Sequence, residues 1–414
     1  MQNSRTFHYY SRSIEDRWLE VSDQFPVLLL TGPRQVGKTT VLEHIREEDR
    51  TYVTLDDLAI RGLAREDPEL FFQRFKPPVL IDEIQYAPQL LQSIKRIVDQ
   101  NRLPGYFWLT GSQQFHLMKG VTESLAGRVA IVNLLGFSSR EKEKRPLTLD
   151  PFIPKSTLVE EYNRSRASSD LIEMYEKIWM GSFPVLATSA IRDREIFYRS
   201  YVQTYLERDV RELIQIGDLE AFRRFLVACA ARTGQLLNYS DLARDVGVSV
   251  NTAKKWLSVL VSSFQVFLLQ PFHSNITKRL SKTPKLYFLD TGLCAYLTGW
   301  SSPQTLESGA MSGAILETYV FVEILKSWWH RIHYPDIYFY RDKDKREIDF
   351  ILMKDSRLYP IEVKKAVRVE RKSSRIIQPL AGLGEKIDSG AIISLYPQVL
   401  PISECITSIP IGIL

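Results

Sequence analysis

The stretch GPRQVGKTT, Gly32 to Thr40, has the spacing G-x-x-x-x-G-K-[ST] and lies directly after an apolar strand-like run and before a helix-like one. In that context the loop of Gly32, Pro33, Arg34, Gln35, Val36 and Gly37, with Lys38, Thr39 and Thr40 opening the helix, would turn backbone N–H groups and a helix N-terminus toward phosphates. Lys38 would reach the β- and γ-phosphates and Thr39 would ligate Mg²⁺. In VLIDE, Asp82 ends a buried strand and would hold Mg²⁺ through water, while Glu83 is placed to activate an attacking water. Glu83 argues for hydrolysis, where an aspartate alone would argue only for binding. At the end of the next strand, in LTGSQQF, Thr110, Ser112 and Gln113 would sense the γ-phosphate. Arg128, in SLAGRV, is a candidate for stabilising transition-state charge from a neighbouring subunit, with an ordinary ion-paired arginine as the alternative.

A second set of residues sits near the C-terminus, in REIDFILMKDSRLYPIEVKK (346–365). Strand periodicity puts Glu362 and Lys364 on one face of LYPIEVKK and Ile361 and Val363 on the other. In the preceding strand Asp349 faces away from Ile348, Phe350 and Leu352. Upstream, Glu317 shares a helical stripe with Val320, Phe321 and Ile324, a costly place for a carboxylate unless something pairs with it. Asp349 and Glu362 would bind Mg²⁺, Lys364 would position a water or stabilise the attacking species, and Glu317 would support the metal or its waters.

The elements that must hold these residues are legible as patterns. Apolar runs at 26–32, 51–57, 77–83, 106–112 and 129–135 alternate with helix-like stretches, which indicates a parallel sheet covered on both faces. The charged, proline-punctuated segment 138–156 suits a linker or an excursion, and 157–235 reads as helical. LLNYSDLARDVGVSVNTAKKWLSVLV (236–261) has a helix-turn-helix pattern. Ser240 and Ser249 are candidate caps, Gly247 the turn, and Val250, Ala253, Leu257 and Leu260 the inward positions. FLLQPF and PKLYFLD could form the strands of a wing. From about residue 305 a helix, three strands, a helix and a further strand follow.

Composition sets the frame. Hydrophobic residues make up 44% and charged residues 25%, as in an ordinary globular protein, and the net charge of +5 is too mild to name a partner. Between Gly247 and Leu289, however, there are six lysines and arginines and no acidic residue, which predicts a basic surface. The cysteines, Cys229, Cys294 and Cys405, have no metal or redox spacing. With no secretory signal and no membrane-length apolar run, the expectation is a cytoplasmic protein.

On LTGPRQVGKTT, VTLDD, PPVLIDEIQYAP, LTGSQQF, SLAGR, YLERDV, LDTGL and EIDFIL…PIEVKK, the chain resembles prokaryotic AAA+-type P-loop ATPases with a winged-helix-like middle region and a C-terminal PD-(D/E)XK, restriction-endonuclease-like domain. The resemblance covers nearly the whole chain. It implies an α/β multidomain fold: a P-loop ATPase domain over 1–150, a helical lid region over 151–235, a winged-helix-like domain over 236–300 and a nuclease-like domain over 301–414. It implies ATP/ADP and Mg²⁺ as cofactors, with Lys38, Thr39, Asp82 and Glu83 as ATPase residues. Asp349, Glu362 and Lys364 match the nuclease motif, with Ile348 standing where the motif's name has proline. Two readings compete: an ATPase driving a domain that binds and cuts DNA, or a nucleotide-controlled switch whose nuclease-like domain binds DNA or a protein partner without cutting. A sequence-specific repressor is the third and weakest reading, because exposed lysines suit phosphates better than base edges. A trans-acting arginine would make the protein a homo-oligomer.

Overall fold

The computed structural model describes residues 9–112, 121, 124–164, 170–206, 218–273, 282–368, 377–380 and 386–414. The five apolar runs form the strands β1 (Val27–Thr31), β2 (Thr51–Thr54), β3 (Val79–Asp82), β4 (Phe107–Gly111) and β5 (Val129–Asn133). They pair in parallel in the order β2-β3-β4-β1-β5. Alternation along β1 sends Val27 and Leu29 into one apolar cluster and Leu28 and Leu30 into another, so both faces are covered. Because β4 lies between β1 and β3, its end stands between the loop at Gly32 and the carboxylate of Asp82. All three C-terminal strand ends therefore converge, where ligands bind in open parallel sheets.

The segment after β5 is not a solvated linker. Ser139, Arg140 and Glu141 form a short helix and are buried. Arg140 donates to the Ile413 carbonyl (3.1 Å) and Arg145 to the Leu414 carbonyl (2.5 Å), binding the first domain to the chain's last residues.

The middle of the chain has the helices Leu219–Ala230, Tyr239–Val246 and Val250–Ser262 and a three-stranded sheet of β6 (Gln235–Leu236), β7 (Val266–Leu269) and β8 (Lys285–Phe288), ordered β6-β8-β7. A short turn joins the second and third of these helices, and the three-stranded sheet is antiparallel. Gly247 adopts φ 78° and ends the second helix, as a left-handed turn requires. Ser249 caps the third helix, but the cap of the second is Asn238, not Ser240, since its side chain accepts from the N–H groups of Ser240 and Asp241. Val250 is turned outward. Trp256 takes the inward place instead, its ring edge-on to Phe222 and Phe225 at 5.5 Å.

The C-terminal part contains the 18-residue helix Ser312–Trp329. Its seven-stranded sheet comprises β9 (Asp336–Arg341), β10 (Glu347–Lys354), β11 (Arg357–Lys364), β12 (Lys386–Ile387), β13 (Gly390–Ser394), β14 (Leu400–Pro401) and β15 (Ile406–Pro410). More strands follow β11 than the sequence suggested, and the intervening helix it suggested falls largely outside the described residues. Strand β10 is irregular between Ile348 and Ile351. That shift places Ile348 and Ile351 in one cluster and Phe350 and Leu352 in the other, so strict alternation fails there. The chain after β7 also joins this sheet, with Pro271 bridging Phe339 and Phe272 packing on Ile348 and Ile351. Tyr287 of β8 stacks on Phe321 at 4.6 Å. One apolar cluster runs from Leu30 through Phe183, Leu257 and Tyr287 to Phe350 and Ile413.

Candidate functional site: a phosphate loop and an acidic centre

The phosphate loop has the backbone its sequence demands. A Cβ on Gly32 would lie 2.0 Å from the Leu134 carbonyl oxygen, and Gly37 has φ 87°. Both positions exclude a side chain, one by contact and one by conformation. The Lys38 ammonium folds over the loop and donates to the carbonyls of Gly32 (3.1 Å) and Pro33 (2.8 Å). Val36 is buried, Arg34 half-buried and Gln35 exposed, the last at φ 62°.

Thr39 Oγ1 donates to Asp82 Oδ1 at 2.8 Å, which brings the two Mg²⁺-ligand candidates together. Thr110 also donates to Asp82, and it accepts from the Glu83 N–H at 3.1 Å. Thr110 therefore clamps the strand end that carries both acidic residues. Burial pushes the Asp82 carboxyl up, opposed by the hydroxyls of Thr110 and Thr39. Glu83 sits in the left-handed region at φ 57°, an uncommon place for a non-glycine residue. Its carboxylate accepts from Gln85 and from Ser112 Oγ (3.3 Å). Gln113 lies outside the described residues.

Arg128 does not face this site. It pairs with Asp99 at 2.6 Å and donates to the Ala126 carbonyl. The parallel register sets Val129 beside Val27, at the strand end opposite the phosphate loop. Four residues of strand, roughly 13 Å, separate the two ends, so any action of Arg128 on nucleotide would be on another copy's.

A cavity of about 250 Å³ opens beside Gly37 and Thr40, walled by Tyr9, Tyr10, Phe137, Pro184 and Val185. Aromatic and apolar walls next to a phosphate loop suit a nucleobase. Sequence reasoning did not find this pocket, whose walls come from three distant segments. Arg12, on its margin, donates to the carbonyls of Val36 and Leu135, both at 2.9 Å. Its Nε lies 3.1 Å from Glu141, which is 3.3 Å from His330 Nδ1 at the end of the long helix. The Leu135 N–H donates to His330 Nε2, so this imidazole is neutral with its proton on Nδ1. Burial pulls the His330 pKa down, in keeping with that state.

Asp349, Glu362 and Lys364 come together on β10 and β11. The Val363 N–H donates to Asp349 Oδ2 at 2.8 Å, and Lys364 Nζ donates to Glu362 Oε1 at 2.5 Å. Burial and the charges of Glu317 and Glu362 push the Asp349 carboxyl well up, and burial does the same to Glu362. Burial alone would lower Lys364, but its bond to Glu362 carries it upward. Glu362 Oε2 is buried without a hydrogen-bond partner. An orphaned carboxylate oxygen beside a second, destabilised carboxyl fits a divalent cation held by Asp349 and Glu362.

Glu317 lies within charge range of Asp349, and its Oε1 is engaged by β8 of the middle region. Lys285 Nζ lies 3.1 Å from its Oε1, and Tyr287 donates to the same oxygen at 2.5 Å. Lys285 also reaches Glu347 at 2.5 Å. Among the described residues no group of three or more His, Cys, Asp or Glu side chains is placed to hold a metal ion. Lys285, counted among the surface cations of 247–289, is instead buried; Lys254, Lys255 and Lys282 are exposed. Its partners come from 32 residues away and beyond, which hid them from a local reading of the sequence. Asp290 of LDTGL proves a structural hub: it accepts from Ser182 N–H and Oγ, both at 2.7 Å, and from Tyr198 (2.9 Å). YLERDV lies largely outside the described residues. No helix among those described is long and apolar enough to cross a membrane.

Three families match successive parts of the chain: residues 172–304 a domain of unknown function (DUF8612), residues 312–414 a domain of unknown function (DUF4143), and residues 24–142 the AAA domain. Over 393 residues, 93% of this chain and 80% of each relative, it is 28% identical to the uncharacterized proteins Rv2008c of Mycobacterium tuberculosis and Mb2031c of Mycobacterium bovis. Among solved structures, the Walker-type ATPase PABY2304 of Pyrococcus abyssi superposes with a TM-score of 0.44 at 16% identity, covering 68% of this chain and 94% of that one. Over residues 24–142 the chain matches the AAA domain, and its parallel sheet with the Gly32–Thr39 loop fits a P-loop NTPase fold.

Proposed function

We propose that the chain is an Mg²⁺-dependent ATP hydrolase whose nucleotide domain controls a restriction-endonuclease-like C-terminal domain acting on DNA. The observation that carries the hydrolase is the contact of Thr39 with Asp82, with Glu83 on the next residue. Lys38 would leave the Gly32 and Pro33 carbonyls for the β- and γ-phosphates, and the loop N–H groups would hold the rest of the chain of phosphates. Bound Mg²⁺ would supply charge neutralisation of the leaving phosphate. Glu83, released from Gln85 and Ser112, would accept the proton of the attacking water. The base would rest between the tyrosines and Phe137.

In the C-terminal domain, Asp349 and Glu362 would hold a divalent cation, which supplies an activated water. Lys364 would orient that water or offset charge on the attacked phosphate. DNA would approach over the exposed Lys254, Lys255 and Lys282. A second reading is favoured by the Lys285–Glu317 pair: a domain that binds DNA or a protein without cutting, as the output of a nucleotide switch. Incubation of supercoiled, linear and single-stranded DNA with Mg²⁺ or Mn²⁺, with and without ATP, separates them. Cutting lost in Lys364→Ala supports the nuclease; no cutting with hydrolysis intact supports the switch.

A further inference from the structure

The acidic centre contains a lysine from outside the C-terminal domain. Lys285 belongs to β8, on the strand pair of the middle region, and its side chain is 4% exposed. It is fixed between two carboxylates from different elements, Glu317 of the long helix and Glu347 of β10. Tyr287, two residues along the same strand face, takes a further hydrogen bond to Glu317 and is itself pinned between Phe321 and Phe350. Removal of the ammonium would take the buried cation from both carboxylates, leaving Glu317 with the Tyr287 hydroxyl and Glu347 with Arg341.

We propose that Lys285 is a positioning residue of this centre, a built-in monovalent cation that occupies Glu317 and limits the centre to one divalent ion, held by Asp349 and Glu362. This rests on the reading of those two carboxylates given above. A two-ion phosphodiester site needs its ions about 4 Å apart with carboxylates to share. Here the third carboxylate is spent, and a fixed positive charge stands where a second ion would gather its ligands. The unpartnered oxygen is on Glu362, which neither of Lys285's ion pairs uses.

The test counts Mn²⁺ ions bound to the full-length, nucleotide-free protein by calorimetry and by the free-Mn²⁺ electron spin resonance signal. Asp82→Asn is used as background to remove the other divalent site. One ion is expected. Glu317→Gln should leave the count at one with affinity changed by less than tenfold, and Lys285→Met should raise the count to two. The second ion should disappear again in Lys285→Met/Glu317→Gln. Two ions in the background protein, a loss of more than tenfold in affinity in Glu317→Gln, or a count fixed at one in a folded Lys285→Met protein would each overturn the proposal. Glu317→Gln keeps shape and removes one charge, so the proposal stays exposed to refutation even if Lys285→Met does not fold. No ion in the background protein but one in Lys285→Met would uphold the lysine's role while overturning the Asp349–Glu362 reading. None in either would overturn both.

Discussion

Glu141 is the most exacting position at which to test how the two ends of the chain are held together. Its side chain is fully buried, 3.1 Å from Arg12 Nε and 3.3 Å from His330, and it accepts the N–H groups of Ser13 (2.9 Å) and Ser138 (2.7 Å). Glu141→Gln removes the charge but keeps the shape. It leaves Arg12, 2% exposed, as a buried cation without its anion. Removing one partner of a buried pair costs about 3–5 kcal/mol. Arg12 also holds the carbonyls of Val36 and Leu135, so the variant should loosen the phosphate loop as well as the fold. Urea unfolding read by tryptophan fluorescence gives the stability, and fluorescent nucleotide titration gives the affinity. Arg12→Met/Glu141→Met, which removes both charges and fills the space, should recover most of the stability but not the nucleotide affinity. A cost below about 1 kcal/mol for Glu141→Gln, the range of exposed pairs, would refute the reasoning.

Three further outcomes are expected. Gly32→Ala should abolish nucleotide binding, because its Cβ would meet the Leu134 oxygen at 2.0 Å; retained binding by calorimetry would contradict the loop geometry. Glu83→Gln should bind ATP with near-native affinity and hydrolyse it at least 100-fold more slowly, the range of a lost general base, measured by phosphate release. Stability should fall as pH falls through about 6.5 and again below about 4.5. Burial holds His330 below its ordinary value of 6.5, with Arg12 and Lys326 adding to the effect, so the unfolded chain takes up its proton first. Burial pushes Glu141 up, but Arg12, His330 and the Ser138 N–H together hold it well below 4.5, and this acts in the same direction. A flat melting profile between pH 8 and 5 would count against the neutral imidazole.

Local chemistry was legible wherever one short segment carries it. The phosphate loop, the Asp82–Glu83 strand end and the Glu362-x-Lys364 face are all set by spacing within a few residues, and the structure brings each set together. What the sequence hid are contacts between segments distant along the chain. The base pocket draws on residues near 10, 137 and 185, and the cation for Glu317 comes from a strand 32 residues earlier. Glu141 and Arg145 read as a charged linker because nothing nearby in sequence names their partners. The register shift at Ile348–Ile351 is invisible to a period-two pattern, which assumes regular pairing. Val250 illustrates the same limit in a helix: Trp256 fills the inward space, and the smaller valine is left outside.

The packing of β8 side chains against the C-terminal helix and sheet bears on how this protein can be dissected and how it can have evolved. A fragment beginning at residue 301 would lose Tyr287 from between Phe321 and Phe350, and Phe272 from its seat on Ile348 and Ile351. At roughly 1.5–3 kcal/mol for each large buried apolar side chain, those two losses alone are comparable with a sizeable part of a domain's net stability. The C-terminal third is thus not a cassette that could be exchanged freely between ATPases. Its core is completed by side chains from β8 and the segment after β7, and substitutions at Phe272, Lys285 or Tyr287 should be tolerated only alongside matching changes in the helix and sheet they pack on.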